Sequence, residues 1–404
     1  MRSDWKKTTI DEACTRVYSG GTPSTKEPAY WNGDMNWLSS GETCNKFIYE
    51  TERKITKLGV EQSSTQLAFK DSIVIATAGQ GYTRGQASFL KIDTYVNQSV
   101  LVLEADRTMV EPLFLYYNLS NRYEELRQLS DGTSTRGGLS GWIVRRMAIN
   151  LPPIDIQKKI VDVLYAIDQK IECNIAINKN LEEQLVELYQ QLIKSSKCSV
   201  TTIADIAEKV AMGPFGSNIK VSTFVDEGVP VISGNHLRGF FVEEKSFNYI
   251  TQEHAMVLKN SIVYPNDIIF THAGNIGTVA MIPYDCNYDY YILSQRQFYL
   301  RCDINKVIPE YVLFFFHSKN GQYELLSYAN QTGVPSIAQP ATNLKKIEIP
   351  LPAYEEQKKW KDIIQPIIAL YLKNRHANMT LCAIRDTLLP RLMSGEIDVS
   401  DIAL

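Results

Sequence analysis

The segment INLPPIDIQKK (residues 149–159) returns as IPLPAYEEQKK (residues 349–359), with Gln157 and Gln357 standing 200 residues apart. A repeat at that distance restricts the fold, because each copy must be able to form a comparable structural unit. Three earlier pairs keep the same order: TTIDEACTRV (8–17) with TTIADIAEKV (201–210), SIVIATAGQG (72–81) with DIIFTHAGNI (267–276), and NQSVLVL (97–103) with SQRQFYL (294–300). The offset grows from 193 through 195 and 197 to 200, so short loop insertions separate the copies while their order is kept. The chain is an internal duplication.

A helix follows each repeated phrase. Ile160, Leu164, Ile167, Ile171, Asn174, Asn178, Leu181, Leu185, Leu188 and Leu192 step by threes and fours, the spacing of a heptad seam. Two hundred residues on stand Trp360, Ile364, Ile367, Tyr371, Asn374, Asn378, Leu381, Arg385, Leu388 and Leu392. Arg385 interrupts this second seam, and Pro366 is expected to kink its helix. Each helix of about 36 residues would span roughly 54 Å. Antiparallel pairing sets Asn178 against Asn374 and Asn174 against Asn378, and brings Ile160 to Leu392, Leu181 to Tyr371, Leu185 to Ile367 and Leu188 to Ile364. Buried Asn pairs cost stability but fix register; the alternative is that these asparagines face solvent.

The expected architecture is α+β. Two globular domains (1–153 and 195–353) alternate with a central long helix (154–194) and a C-terminal long helix with its tail (354–404). The two helices form an antiparallel coiled coil, and a pseudo-two-fold axis relates the halves. DSIVIATAG, QSVLVLEA, GVPVIS, NDIIFTHAG and RQFYLRCD read as strands. EPLFLYYNLSNRYEELRQL and PEYVLFFFHSKNGQYELL each read as one amphipathic helix opened by Pro. The 404 residues, 44% hydrophobic and 22% charged, suffice for two or three cores. No apolar run reaches the roughly 18 residues of a membrane helix. The opening MRSDWKKTTI has no signal-peptide core, and seven Cys without a CxxC pair suit a reducing cytoplasm.

Catalytic patterns are missing. GQGYTRG lacks G-x-G-x-x-G spacing and no GxxxxGK[ST] loop occurs, so its glycines read as turn residues. The five His show no metal-ligand spacing. NLPP (150–153) resembles an adenine-methyltransferase tetrad only superficially, because a Leu is inserted and the aromatic is lacking. What the loops do carry is Gln, Asn, Arg, Thr and Tyr between glycines, in TAGQGYTRGQ (77–86), SDGTSTRGG (130–138), HAGNIGT (272–278) and NQTGVPS (330–336). Such side chains suit base edges and phosphates, though any one of them could be a solvated loop residue. The net charge of −3 argues against a bulk electrostatic hold on nucleic acid and leaves local basic patches open.

Two variable domains alternating with similar helices, opened by LPPIDIQKKI and LPLPAYEEQKKW and closed by LLPRLMSGEI, resemble the specificity subunit of type I restriction-modification systems. YSGGTPSTKEPAYWNGDMNWLSSGE (18–42) and MGPFGS (212–217) resemble the starts of that family's target recognition domains. The resemblance covers essentially the whole chain. It implies a non-catalytic DNA-binding subunit that reads an asymmetric two-part site in double-stranded DNA, with the helix pair as ruler for the unread spacer. It also implies two methyltransferase (modification) subunits and restriction (translocase/endonuclease) subunits as partners. Those partners, and not this chain, would hold S-adenosylmethionine, ATP and Mg.

On that reading the base-contacting candidates are Gln80, Tyr82, Arg84, Gln86 and Arg136 in the first domain, and His272, Asn275, Arg296 and Gln331 in the second. Arg296 could instead pair internally with an acid. Gln157, Lys158, Lys159, Gln357, Lys358 and Lys359 are repeated and expected to be exposed, so they are candidates for facing two copies of one partner or are ordinary first-turn residues. Two other functions compete: an enzyme with a disguised methyltransferase or nuclease site, and an interaction scaffold binding protein or RNA.

Overall fold

The computed structural model describes residues 5–79, 81–131, 138–216, 218–330 and 333–400. The chain divides into two compact units, one of residues 1–173 with 377–404 and one of residues 174–376. Both divisions fall inside long helices, Ile154–Ser195 and Tyr354–Met393. Each helix begins just after a proline that disfavours helical conformation in the residue before it, Pro153 in the first copy and Pro352 in the second. The second helix continues through Pro366 without a break.

In the first unit a five-stranded sheet runs in the order Cys14–Ser19, Val100–Ala105, Ile73–Ala76, Ala87–Leu90, Phe47–Ile48, antiparallel except for the last pair. Ile73–Ala76 is buried on both faces, which explains its unbroken apolar sequence. A smaller sheet orders Arg53–Ile55, Trp31–Leu38, Thr94–Val96 and Gln66–Ala68. The second unit repeats the plan. Ala207–Met212, Gln297–Cys302, Ile268–Thr271 and Val279–Met281 form one sheet, and Asn248–Ile250, Val229–Ile232, Tyr291–Leu293 and Ile262–Val263 the other. A two-stranded ribbon leads into each long helix: Lys6–Thr9 with Ala148–Leu151, and Ser199–Thr202 with Glu348–Leu351.

Each Pro-opened segment that reads as one helix is two. Pro112–Ser120 and Pro309–His317 are almost wholly buried, and the amphipathic pieces are Tyr123–Asp131 and Lys319–Leu326. In the second unit Ser318 caps the new helix, its Oγ accepting from the Gly321 amide at 3.1 Å. A Cβ at Gly321 would lie 2.0 Å from the Phe315 carbonyl oxygen, so only glycine permits this sharp break.

The long helices belong to the cores of both units. Ile160, Leu164 and Leu392 pack in the first with Phe114 and Tyr116; Leu185, Tyr189, Trp360, Ile364 and Ile368 pack in the second with Tyr311 and Phe314. Within the first unit Arg385 Nη1 meets Asp168 Oδ1 at 2.8 Å, and Asn378 Nδ2 donates to the Ile171 carbonyl at 3.4 Å. Within the second, Asn374 Nδ2 donates to Asn178 Oδ1 at 2.9 Å, and Asn178 Nδ2 to the Tyr371 carbonyl at 3.0 Å. In each unit residue numbers rise along one helix as they fall along the other, so the segments run antiparallel. Asn174, Asn178 and Asn374 are buried and Asn378 is half-buried. Arg385 does not break the seam: it is a buried, ion-paired member of it.

Candidate nucleic-acid interface

The two units hold their loops with the same hydrogen bonds. In the first, the Thr77 amide donates to the Ser99 carbonyl and the Leu139 amide to the Thr77 carbonyl, both at 2.8 Å. In the second, the His272 amide donates to the Arg296 carbonyl at 3.0 Å and the Ile337 amide to the His272 carbonyl at 2.8 Å. Backbone geometry therefore survives the duplication while the side chains it displays have changed. That is how a scaffold supports different readouts.

In the second unit three segments converge. His272–Thr278 follows the strand Ile268–Thr271, Ser294–Gln297 joins the strands Tyr291–Leu293 and Gln297–Cys302, and Gly213–Gly216 follows the strand Ala207–Met212. Gly274, at φ +88°, brings its backbone to Arg296, whose Nη1 lies 3.5 Å from where a Cβ would sit. Arg296 and Asn275 are exposed, and no carboxylate pairs with Arg296 among the described residues. His272 is half-buried, and its Nε2 lies 3.2 Å from the Gln295 carbonyl oxygen. Burial lowers its pKa, which keeps the ring neutral at pH 7, and the ring then steadies the turn that carries Arg296. Gln331 lies outside the described residues.

In the first unit Tyr82 is 82% exposed. Its loop is pinned to the helix Tyr123–Asp131, with Tyr123 Oη donating to the Tyr82 carbonyl at 2.9 Å and Arg127 Nη1 to the Gly81 carbonyl at 2.7 Å. Arg84, taken from sequence as a base contact, is buried. The next residue, Gly85, at φ +87°, packs against Leu126 and Arg127. Gln86 is half-buried, and its Oε1 has no hydrogen-bond partner among the described residues. It lines a cleft of about 390 Å³ together with Lys46, Tyr82, Tyr117 and Tyr123. Gln80 and Arg136 lie outside the described residues.

The repeated glutamines differ from their expected role. Gln157 and Gln357 are 1% and 0% exposed, so neither is a surface residue. Gln157 accepts from the Glu111 amide at 2.9 Å and donates to the Met109 and Pro152 carbonyls at 3.1 and 2.9 Å. Gln357 accepts from the Ile308 amide at 3.1 Å and donates to the Pro352 carbonyl at 2.9 Å. They recur because each ties a long helix to the segment before its unit's buried helix, a requirement of both copies. Lys158, Lys358 and Lys359 are exposed; Lys159 Nζ donates to the Ser400 carbonyl at 2.6 Å.

Sequence reasoning also missed a buried charged cluster. Asp168 accepts from Arg385 and, at 2.8 Å, from Tyr117 Oη, with Lys46 Nζ 3.5 Å away. Burial lowers the Lys46 pKa, and burial together with Asp168 raises that of Tyr117. For Arg385 burial works against its charge, but the hydrogen bonds to Asp168 and Asp386 prevail and hold it protonated. Continuing the antiparallel register past the Asn layers would have brought Arg385 beside Asp168. Among the described residues no group of His, Cys, Asp and Glu could hold a metal ion. Among them no helix is long and apolar enough to cross a membrane.

The family profile for the type I restriction modification DNA specificity domain matches residues 2–183 and again 196–378. The MjaIX type I restriction enzyme specificity subunit of Methanocaldococcus jannaschii is 24% identical over 434 aligned positions, covering 99% of this chain and 95% of that protein. The MjaVIII specificity subunit of the same organism is 24% identical over 372 positions, 85% of this chain and 84% of its own. The crystal structure of a type I restriction-modification S subunit from M. genitalium matches with a TM-score of 0.58 at 16% identity, covering 96% of each chain.

Proposed function

The chain belongs to the type I restriction modification DNA specificity family, and from that premise we propose that it reads an asymmetric, two-part DNA site, one part per unit. It is the DNA-recognition subunit of a type I restriction-modification system and is not itself the enzyme. Residues 1–153 and 195–353 serve as the target recognition domains, and 154–194 with 354–404 as a coiled-coil spacer in which Asn174, Asn178, Asn374 and Asn378 fix the register. The observation that carries the reading is the shared backbone frame around Thr77 and His272 with unlike side chains on it. Equal frames present loops alike; unlike loops read unlike bases.

Tyr82 and Gln86 in the first unit, and Asn275 and Arg296 in the second, are the contacts we assign to DNA, with His272 positioning the turn. Gln80, Arg136 and Gln331 remain proposed contacts from sequence. Two modification subunits and the restriction subunits complete the complex in the cytoplasm, and they supply S-adenosylmethionine, ATP and Mg. A chain with net charge −3 leaves much of the phosphate neutralisation to them. Lys158, Lys159, Lys358 and Lys359 are the proposed partner-facing residues near the start of each helix.

Sequencing of adenine methylation in a methylation-free host tests this. Expressed with its modification subunit, the chain should yield one asymmetric two-part motif that vanishes when either gene is omitted. Methylation without this chain, or no motif from an assembled complex, would leave the scaffold function in its place.

A further inference from the structure

The sequence MGPFGS presents a phenylalanine in an unusual setting. Phe215 is 84% exposed, yet residues on both sides of it are anchored. Pro214 before it and Ile219 after it are buried, and the Asn218 amide closes a turn onto the Phe215 carbonyl at 2.8 Å. The Gly213 amide donates to the Gln297 carbonyl at 2.8 Å, and a Cβ on Gly213 would lie 2.1 Å from the Ser294 carbonyl oxygen. No side chain but hydrogen allows that approach. His254 Nε2 lies 2.8 Å from the Asn218 carbonyl oxygen and holds the far side. A ring that could have folded back onto apolar surface is instead kept in water by proline, glycine and two anchored flanks.

Its neighbours indicate what it meets. Gly213–Gly216 packs on the turn that displays Gln295 and Arg296, with Gly216 4.0 Å from Gln295 Cδ measured at its would-be Cβ. The same turn is hydrogen-bonded to His272, three residues before the exposed Asn275. The loop that carries this ring therefore packs on the turn that carries Gln295 and Arg296, an arginine without a carboxylate partner among the described residues. That set complements a nucleotide, whose base has an apolar face and whose backbone is anionic. In the first unit the matching position, 193 residues earlier, is Thr22, whose Oγ1 donates to Gln98 Oε1 at 2.6 Å. The aromatic is particular to one unit.

We infer that Phe215 is a specificity-determining residue of the second unit, making apolar contact with a base of that unit's half-site. The contact is either to a thymine methyl group in the major groove or to a base face exposed by partial unstacking. This rests on the DNA-reading function proposed above. Since the ring has no role in the core, Phe215 variants should fold as the native chain does.

The test uses the full complex with its modification subunit and compares native Phe215 with Phe215→Ala, Phe215→Leu and Phe215→Trp. Phe215→Ala should lower the methylation rate roughly tenfold to a hundredfold and relax one position of one half-site, leaving the other half-site unchanged. If the contact is to a methyl group, deoxyuridine in place of one thymine reproduces the loss with native protein, and Phe215→Leu retains most activity. If it is to a base face, 2-aminopurine at that step brightens on binding native protein but not Phe215→Ala, and Phe215→Trp is the variant that retains activity. Unchanged rate and motif for Phe215→Ala, with a two-part motif for the native complex, would overturn the inference alone. No motif for the native complex would overturn both it and the function it rests on.

Discussion

At matching places on the long helices the two units have opposite cores. In the first, Asp168 and Arg385 form a buried ion pair with Tyr117 and Lys46 around it. Two hundred residues away along the same repeat, Asp168 corresponds to Ile368 and Arg385 to Leu185, which are 1% and 0% exposed in the apolar core of the second unit. Tyr117, sixth in Pro112–Ser120, corresponds to Phe314, sixth in Pro309–His317 and one of the buried aromatics there. One scaffold tolerates either chemistry provided both members of the layer change together, because a single change leaves a carboxylate or guanidinium buried without its counter-charge.

The largest expected effect breaks the charged layer. Arg385→Leu should destabilise the first unit by about 3–5 kcal/mol, since Asp168 is left with the partly exposed Lys46 as its nearest cation. Hydrogen exchange of peptides from each unit, followed through a urea series, would show the loss in the first unit and not in the second. Asp168→Ile combined with Arg385→Leu should copy the second unit's layer and restore stability to at least the native level. In the second unit Leu185→Ala should cost about 2–5 kcal/mol through the cavity it opens.

Next in size is a change expected to be equal in both units. Gln157→Ala and Gln357→Ala should each cost about 1–3 kcal/mol by orphaning buried backbone groups. A marked inequality in their urea midpoints would mean that the helix joints are not equivalent.

One further effect depends on pH and belongs to the second unit alone. His317 Nε2 lies 2.9 Å from the Val279 carbonyl oxygen, and burial lowers its pKa to about 4; the first unit has Ser120 at the matching position. A base with a depressed native pKa stabilises the fold above its unfolded pKa of about 6.5, and that contribution is lost as pH falls towards 4. Exchange of the Val279–Met281 amides should therefore quicken between pH 6.5 and 4 after correction for intrinsic rates. His317→Gln should flatten the difference.

How much of this was legible depended on whether periodicity or three-dimensional placement carried the signal. The duplication, the two long helices and the buried Asn178 and Asn374 follow from spacing, because heptads and repeated phrases are one-dimensional patterns. The base-reading candidates are loop residues, whose exposure depends on local backbone turns. Arg84 is buried in a loop that turns through a positive φ at Gly85, which composition does not reveal. Pro309–His317 with Lys319–Leu326 reads as a single helix because its break turns on a close backbone approach at Gly321, and Pro112–Ser120 with Tyr123–Asp131 breaks at the matching place with Glu124 where the glycine would stand. Gln157 and Gln357 were visible as a repeat, but repetition alone does not distinguish a shared surface from a shared joint.

The charged layer also bears on which helices can become mates. A duplicated chain carries two similar helices, and each could in principle seek its own twin in a second molecule. In the same antiparallel register, twinning of the first helix would place Asp168 opposite Leu185, and twinning of the second would place Arg385 opposite Ile368. Each of those matches buries a lone charge against hydrocarbon, whereas the unlike pairing sets charge to charge and hydrocarbon to hydrocarbon. Asp168 and Arg385 thus act as a lock and key against self-recognition, making a sequence born of sameness depend on its difference.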